Sequence, residues 1–141
     1  MNRLVVAFDV DDTLIVPAVA TGFDRDVPNY DTIAVYRWFQ AHGHIMVVWS
    51  GGGEDYARMW GEKLGLNADV YRDKHDRAAF TFAYEPFEKA APDIAVDDSD
   101  LTLATVNVKV GRVNNRVVRY PERARGTGDE PPSRAEKEGR A

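Results

Sequence analysis

Five consecutive apolar residues, Leu4-Val5-Val6-Ala7-Phe8, run straight into Asp9-Val10-Asp11-Asp12-Thr13-Leu14, and this junction constrains the fold more than any other stretch. A run that is apolar on both sides of the backbone reads as a strand covered on both faces, as in a parallel sheet packed against helices. Three carboxylates within four positions cannot follow it into a core, because each ionised group there would need a partner or a metal. They can sit at the C-terminal edge of a central strand, where open α/β sheets place their ligands. Asp9 and Asp11 are two apart and share a side if the extended geometry continues. Two acids facing one point bind a divalent cation, or differ in pKa enough to divide acid and nucleophile roles. An Asp-rich turn without chemistry uses the same residue types, so the rest of the chain has to decide.

Further along, each apolar run breaks off at a residue suited to phosphate or metal. Residues 15–29 have no convincing period and contain Pro17, Gly22 and Pro28, which predicts a loop or small flap, too short for a cap domain. Asp31 to Ala41 reads as a helix stopped by Gly43. His44 to Trp49 is a second buried strand that ends at Ser50-Gly51-Gly52-Gly53. Glu54 to Leu64 reads as a helix with Tyr56, Met59, Trp60 and Leu64 close to one stripe. Trp38 and Trp60 are assigned to the core, and Trp49 to sheet packing rather than to a site wall. Ala68 to Tyr71 is a short third strand. Arg72 to Ala90 is read as mostly helical, although Phe80-Thr81-Phe82 alternates like a strand and Pro86 interrupts. Ile94 to Val96 is the next strand, ending at Asp97-Asp98, followed by a short helix over Leu101 to Thr105 and a strand over Val106 to Val110. Val113 to Tyr120 pairs as a hairpin or edge strand through Asn114-Asn115.

Strand, helix, strand, helix, strand in this order predicts right-handed crossovers and a three-layer, Rossmann-like α/β fold with a parallel central sheet. The C-terminal strand ends then share one edge, so Asp9, Asp11, Ser50 and Asp97/Asp98 converge. A chain of 141 residues holds one domain, assigned to residues 1–120, and the Pro-, Gly-, Arg- and Glu-rich residues 121–141 are expected to be a disordered tail. With no cysteine, disulfides, thiolate zinc sites and cysteine nucleophiles are excluded. Neither a long apolar run nor a signal-peptide pattern is present, so a cytoplasmic protein is the plain reading. Charge is uneven. Residues 1–108 carry 18 acidic and 9 basic side chains, whereas residues 109–125 carry Lys109, Arg112, Arg116, Arg119, Arg123 and Arg125 against Glu122 alone. The acidic part suits a site that collects Mg²⁺; the basic stretch suits either a polyanion or a solvated strand edge.

Asp9-Val10-Asp11-Asp12-Thr13 after an apolar strand resembles the first motif of the haloacid dehalogenase (HAD) superfamily, Asp-x-Asp-x-Thr, with Asp12 where Gly is frequent. Ser50 after Ile45–Trp49 resembles the second motif and Asp97-Asp98 the fourth. The lysine of the third motif is Lys74 or Lys89, and the 23 residues from Lys74 to Asp97 favour Lys74. The resemblance covers residues 3 to about 110. It implies a capless phosphatase in which Asp9 is the nucleophile, forming an aspartyl-phosphate, and Asp11 protonates the leaving alkoxide and then activates water. Ser50 and Lys74 would complete the catalytic set, with Thr13, Gly51 and Gly52 on the substrate side. Mg²⁺ would be bound by Asp9, by Asp11 through its carbonyl, and by Asp97 and Asp98.

The layout is also similar to the phosphatase part of phage-type polynucleotide kinase-phosphatases, through Asp-Val-Asp-x-Thr-Leu, Val-Val-x-Ser-Gly and Tyr56-Ala57-Arg58-Met59. That implies a nucleotide or polynucleotide phosphate end as substrate. A small-metabolite phosphatase closed by a second copy, and a catalytically silent phosphate binder, are the competing expectations. No P-loop or dinucleotide fingerprint follows a strand.

Overall fold

A computed structural model describes residues 3–21, 24–82 and 88–111. In chain order the elements are β1 (Val5–Asp9), β2 (Ile15–Val16), α1 (Ala18–Thr21), β3 (Val27–Pro28), α2 (Tyr30–Ala41), β4 (Ile45–Ser50), α3 (Glu54–Lys63), β5 (Val70–Asp73), β6 (Phe80–Thr81), β7 (Glu88–Lys89), β8 (Ile94–Asp97) and β9 (Val106–Lys109). The expected edge strand over 113–120 and the tail from 121 lie outside the described residues.

Five strands form one parallel sheet in the order β5-β4-β1-β8-β9. β1 is central, as its unbroken apolar run requires, and all five of its residues are buried. The register aligns Asp9 with Trp49, Ser50 with Asp73 and Asp97 with Lys109. The strand ends that carry carboxylates, hydroxyl and lysine therefore lie along one edge. The parallel α/β sheet and its Rossmann-like layout are as the periodicity predicts.

Alternation in β1 feeds two separate cores. Val6 and Phe8 join one cluster with Tyr36 of α2 and Ala57 and Trp60 of α3. Phe8 meets Tyr36 edge-on at 5.2 Å between ring centres, a contact worth about 0.5–1.5 kcal/mol beyond area burial. α3 lies close enough to β5 that a Cβ at Gly61 would fall 2.2 Å from the Tyr71 ring, so a larger residue there would force that ring to move. Val5 and Ala7 join the other cluster with Ile45, Val47, Trp49, Phe80 and Ala95.

No residue of α2 or α3 belongs to that second cluster. Among the described residues it is packed instead by Phe80 and Phe82 and by Leu103 and Ala104, with no helix on this side. The described residues of the stretch expected to be mostly helical, 72–82 and 88–90, contain no helix. β5 runs to Asp73, two residues beyond the expected end, and β6 pairs antiparallel with β7. The alternation at Phe80-Thr81 decides the matter, with Phe80 buried and Thr81 exposed. Nor does a helix form over 101–105. The Asn107 side chain accepts the backbone N–H groups of Leu103 and Ala104 at 2.8 and 3.0 Å, holding the chain in a turn before β9. Trp38 is 56% exposed rather than core, stacked on His42, whereas Trp60 and Trp49 are buried.

Between β1 and α2, β2 and β3 make a two-stranded antiparallel pair. Within residues 17–26, which hold α1, the Ala18 N–H donates to Asp26 Oδ1 at 2.7 Å. No helix among the described residues is long and apolar enough to cross a membrane.

Candidate active site

β1, β4, β5 and β8 are each followed by a tight turn at the carboxylate-bearing edge. After β1, the carbonyl of Val10 accepts N–H groups from Thr13, Leu14 and Ile15 at 3.2, 2.9 and 3.1 Å. Asp12 occupies the left-handed region at φ 60°, which Asp tolerates better than most residues. The other turns close through a side chain that accepts a backbone N–H two residues on. Ser50 Oγ accepts Gly52 at 3.0 Å, Asp73 Oδ1 accepts His75 at 2.8 Å, and Asp97 Oδ1 accepts Ser99 at 3.0 Å. The Lys74 N–H also donates to the Ser50 carbonyl at 2.9 Å, extending the β4–β5 ladder by one bond. That fixes the backbone from which Lys74 reaches across the sheet edge.

Lys74 Nζ lies 3.0 Å from Asp9 Oδ1 and 2.8 Å from Asp97 Oδ2, joining two buried carboxylates from neighbouring strands. The Thr13 hydroxyl is 3.4 Å from Asp9 Oδ2. Asp98 brings a third carboxylate, and one oxygen from each of Asp9, Asp97 and Asp98 lies within 4.8 Å of the others. Three acids against one ammonium leave net negative charge in a poorly solvated place. Burial, reinforced by Asp97 and opposed by Lys74, pushes the Asp9 carboxyl up to about 7. Burial acts on Asp97 in the same sense, but the hydrogen bonds from Lys74 and the Ser99 backbone outweigh it and hold that carboxyl below its usual range. Burial likewise works against the Lys74 ammonium, and its two carboxylate partners outweigh that and raise its pKa. This donor set is all hard oxygen and suits a hard divalent cation, which would relieve the repulsion that Asp9 feels.

The structure thus brings Asp9, Thr13, Lys74, Asp97 and Asp98 together, with Ser50 and its glycines one strand away. Ser50 is buried, and because its Oγ accepts from Gly52, its own proton is left to donate. Asp11 behaves differently from a second ligand on an extended strand. β1 ends at Asp9, Asp11 is exposed, and its Oδ1 accepts a hydrogen bond from the Tyr56 hydroxyl at 2.7 Å. Its carboxylate is outside the acidic trio. Lys89 is elsewhere, on β7, paired with Asp93 at 2.7 and 2.9 Å. Tyr56 enters the sequence reading only within the Tyr56-Ala57-Arg58-Met59 motif and on the apolar stripe of α3; its hydroxyl's reach to Asp11 has no signal in the sequence.

A groove of about 620 Å³ opens beside Lys74 along the face that α2 and α3 leave uncovered, with Trp49, His75, Arg77, Phe80 and Leu103 among its walls. That volume is within the range of small-molecule sites.

Fold and site together define an α/β protein with a parallel, Rossmann-like sheet and an acidic, lysine-bridged cluster at the C-terminal edge of its strands. Comparison with models of known families, with curated proteins and with solved structures gave no match.

Proposed function

We propose that the chain is a Mg²⁺-dependent phosphomonoester hydrolase of HAD type that works through an aspartyl-phosphate on Asp9. The observation that carries this reading is the Lys74 ammonium held between Asp9 and Asp97 at the end of the central strand. An ammonium so placed screens a carboxylate nucleophile from an incoming dianion, and it gains strength from the poorly solvated surroundings. Asp9 attacks phosphorus, the ester P–O bond breaks, and Asp11 protonates the departing oxygen. Water then attacks the acyl phosphate while Asp11 takes its proton, the bond to Asp9 breaks, and inorganic phosphate leaves. The Ser50 hydroxyl and the Gly51 amide bind phosphoryl oxygens, an arrangement that glycine-rich turns before a helix favour; the Gly52 amide, already donated to Ser50 Oγ, orients that hydroxyl instead. Mg²⁺ held by Asp9, Asp97, Asp98 and the Asp11 carbonyl would supply neutralising charge between carboxylate and phosphate.

The groove beside Lys74 supports an organic ester with a sizeable body, having apolar walls at Phe80 and Leu103 and a cationic side chain at Arg77. A nucleotide or polynucleotide phosphate end fits that description and the basic stretch that begins at Lys109. The test is hydrolysis of p-nitrophenyl phosphate with Mg²⁺, with a chelator, and by Asp9→Asn. Turnover is expected only in the first case. Undiminished turnover by a folded Asp9→Asn protein would falsify the nucleophile assignment.

A further inference from the structure

We infer that Tyr56 is a positioning residue that fixes which oxygen of Asp11 delivers the proton to the leaving group; the inference rests on the phosphatase reading of the site. Two independent features place Tyr56. Its hydroxyl donates to Asp11 Oδ1 at 2.7 Å, a short contact between α3 and the turn that follows β1. Its ring lies against the backbone of the Ser50–Gly53 turn, where a Cβ built on Gly52 would sit 3.2 Å from the ring edge and 3.4 Å from Ser50 Oγ. A Cβ at Gly52 would therefore be tight, and the ring or the turn would have to give by a few tenths of an ångström. The same ring also packs against the core cluster under α3. One side chain thus ties the turn that carries the general acid to the turn that carries the phosphate-binding groups.

The consequence follows from the inventory of donors. A phenol hydroxyl that donates to Oδ1 occupies that oxygen as an acceptor, so the proton of the neutral acid resides on Oδ2. Asp11 is exposed, and without the Tyr56 bond its carboxyl would rotate among orientations, only some of which face the ester oxygen. Loss of that orientation matters in proportion to how much the leaving group needs a proton. An alkoxide needs one as the P–O bond breaks, whereas p-nitrophenolate leaves without one.

Tyr56→Phe keeps the ring against Gly52 and removes only the hydroxyl. With Mg²⁺ present, kcat/KM is compared for p-nitrophenyl phosphate and a simple alkyl phosphate, for wild type and variant. Since kcat/KM reports the steps through formation of the aspartyl-phosphate, it isolates the proton delivered to the leaving group. The ratio of aryl to alkyl kcat/KM is expected to rise about tenfold or more in the variant, within the range that general acids contribute. Aryl turnover serves as the internal check on folding. Equal losses for both esters, or no loss for the alkyl ester, would overturn the assignment of Tyr56 alone. A wild-type protein that turns over neither ester overturns the phosphatase reading beneath it.

Discussion

At Asp9, burial and the neighbouring Asp97 act together against ionisation, with Lys74 opposing them, and the carboxyl rises from 3.8 to about 7. Because the folded pKa lies above the unfolded one, the stability Asp9 contributes is fully present below 3.8 and is lost as pH rises through about 7. Asparagine at this position carries no such dependence. Asp9→Asn is therefore expected to raise the Tm of the metal-free protein over wild type at about pH 8, with the gap closing toward about pH 5. A gap of the same size at both pH values, read by thermal unfolding in chelator, would show that ionisation of Asp9 carries no cost. This residue and its partners were legible in the sequence as apolar runs that stop at Asp9, Ser50 and Asp97. Lys74 was legible only as the better of two lysines by spacing, since nothing local marks its bridge to two strands. Tyr56 was legible as part of the Tyr56–Met59 motif and of a helical stripe, but its bond to Asp11 was not, because a half-buried tyrosine on such a stripe has a sufficient explanation in packing.

Among the elements, the central strands and the two long helices follow from local pattern, since β1, β4, α2 and α3 are periodic over enough residues to be unambiguous. Residues 72–82 and 101–105 misled for a common reason. Both segments are short, and their structure is set by what they cover. Phe80 is buried under the sheet face with the Arg72 guanidinium 3.8 Å from its ring centre and Trp49 at 6.3 Å. Such contacts override a weak helical preference. Trp38 misled in the opposite direction, its helical spacing suggesting burial on a face that lies open. If Phe80 seals this face in place of a helix, Phe80→Ala should cost about 3–5 kcal/mol, the usual range for an aromatic removed from a core. A urea titration that finds less than about 1 kcal/mol would mean the face is sealed without it.

Across the whole molecule, the uneven sheet gives the site its character. One face is packed by α2 and α3, and on the other the groove beside Lys74 borders the acidic cluster. On the proposed reading, an ester whose phosphate reached Asp9 would lay its body along that groove past Lys74. Charge asymmetry fits the same proposed reading, in which an acidic chain would favour cations and the basic residues from Lys109 to Arg125 would favour a polyanion. All of it depends on Asp9 forming a covalent bond to phosphorus. The most direct measurement is to mix the protein with Mg²⁺ and a phosphate-labelled ester, quench in acid within one turnover, and map the label on the chain. Label on Asp9, absent from Asp9→Asn and released by hydroxylamine as an acyl phosphate should be, is the predicted result. Turnover of the ester with no label on the protein, or with the label on another residue, would contradict it.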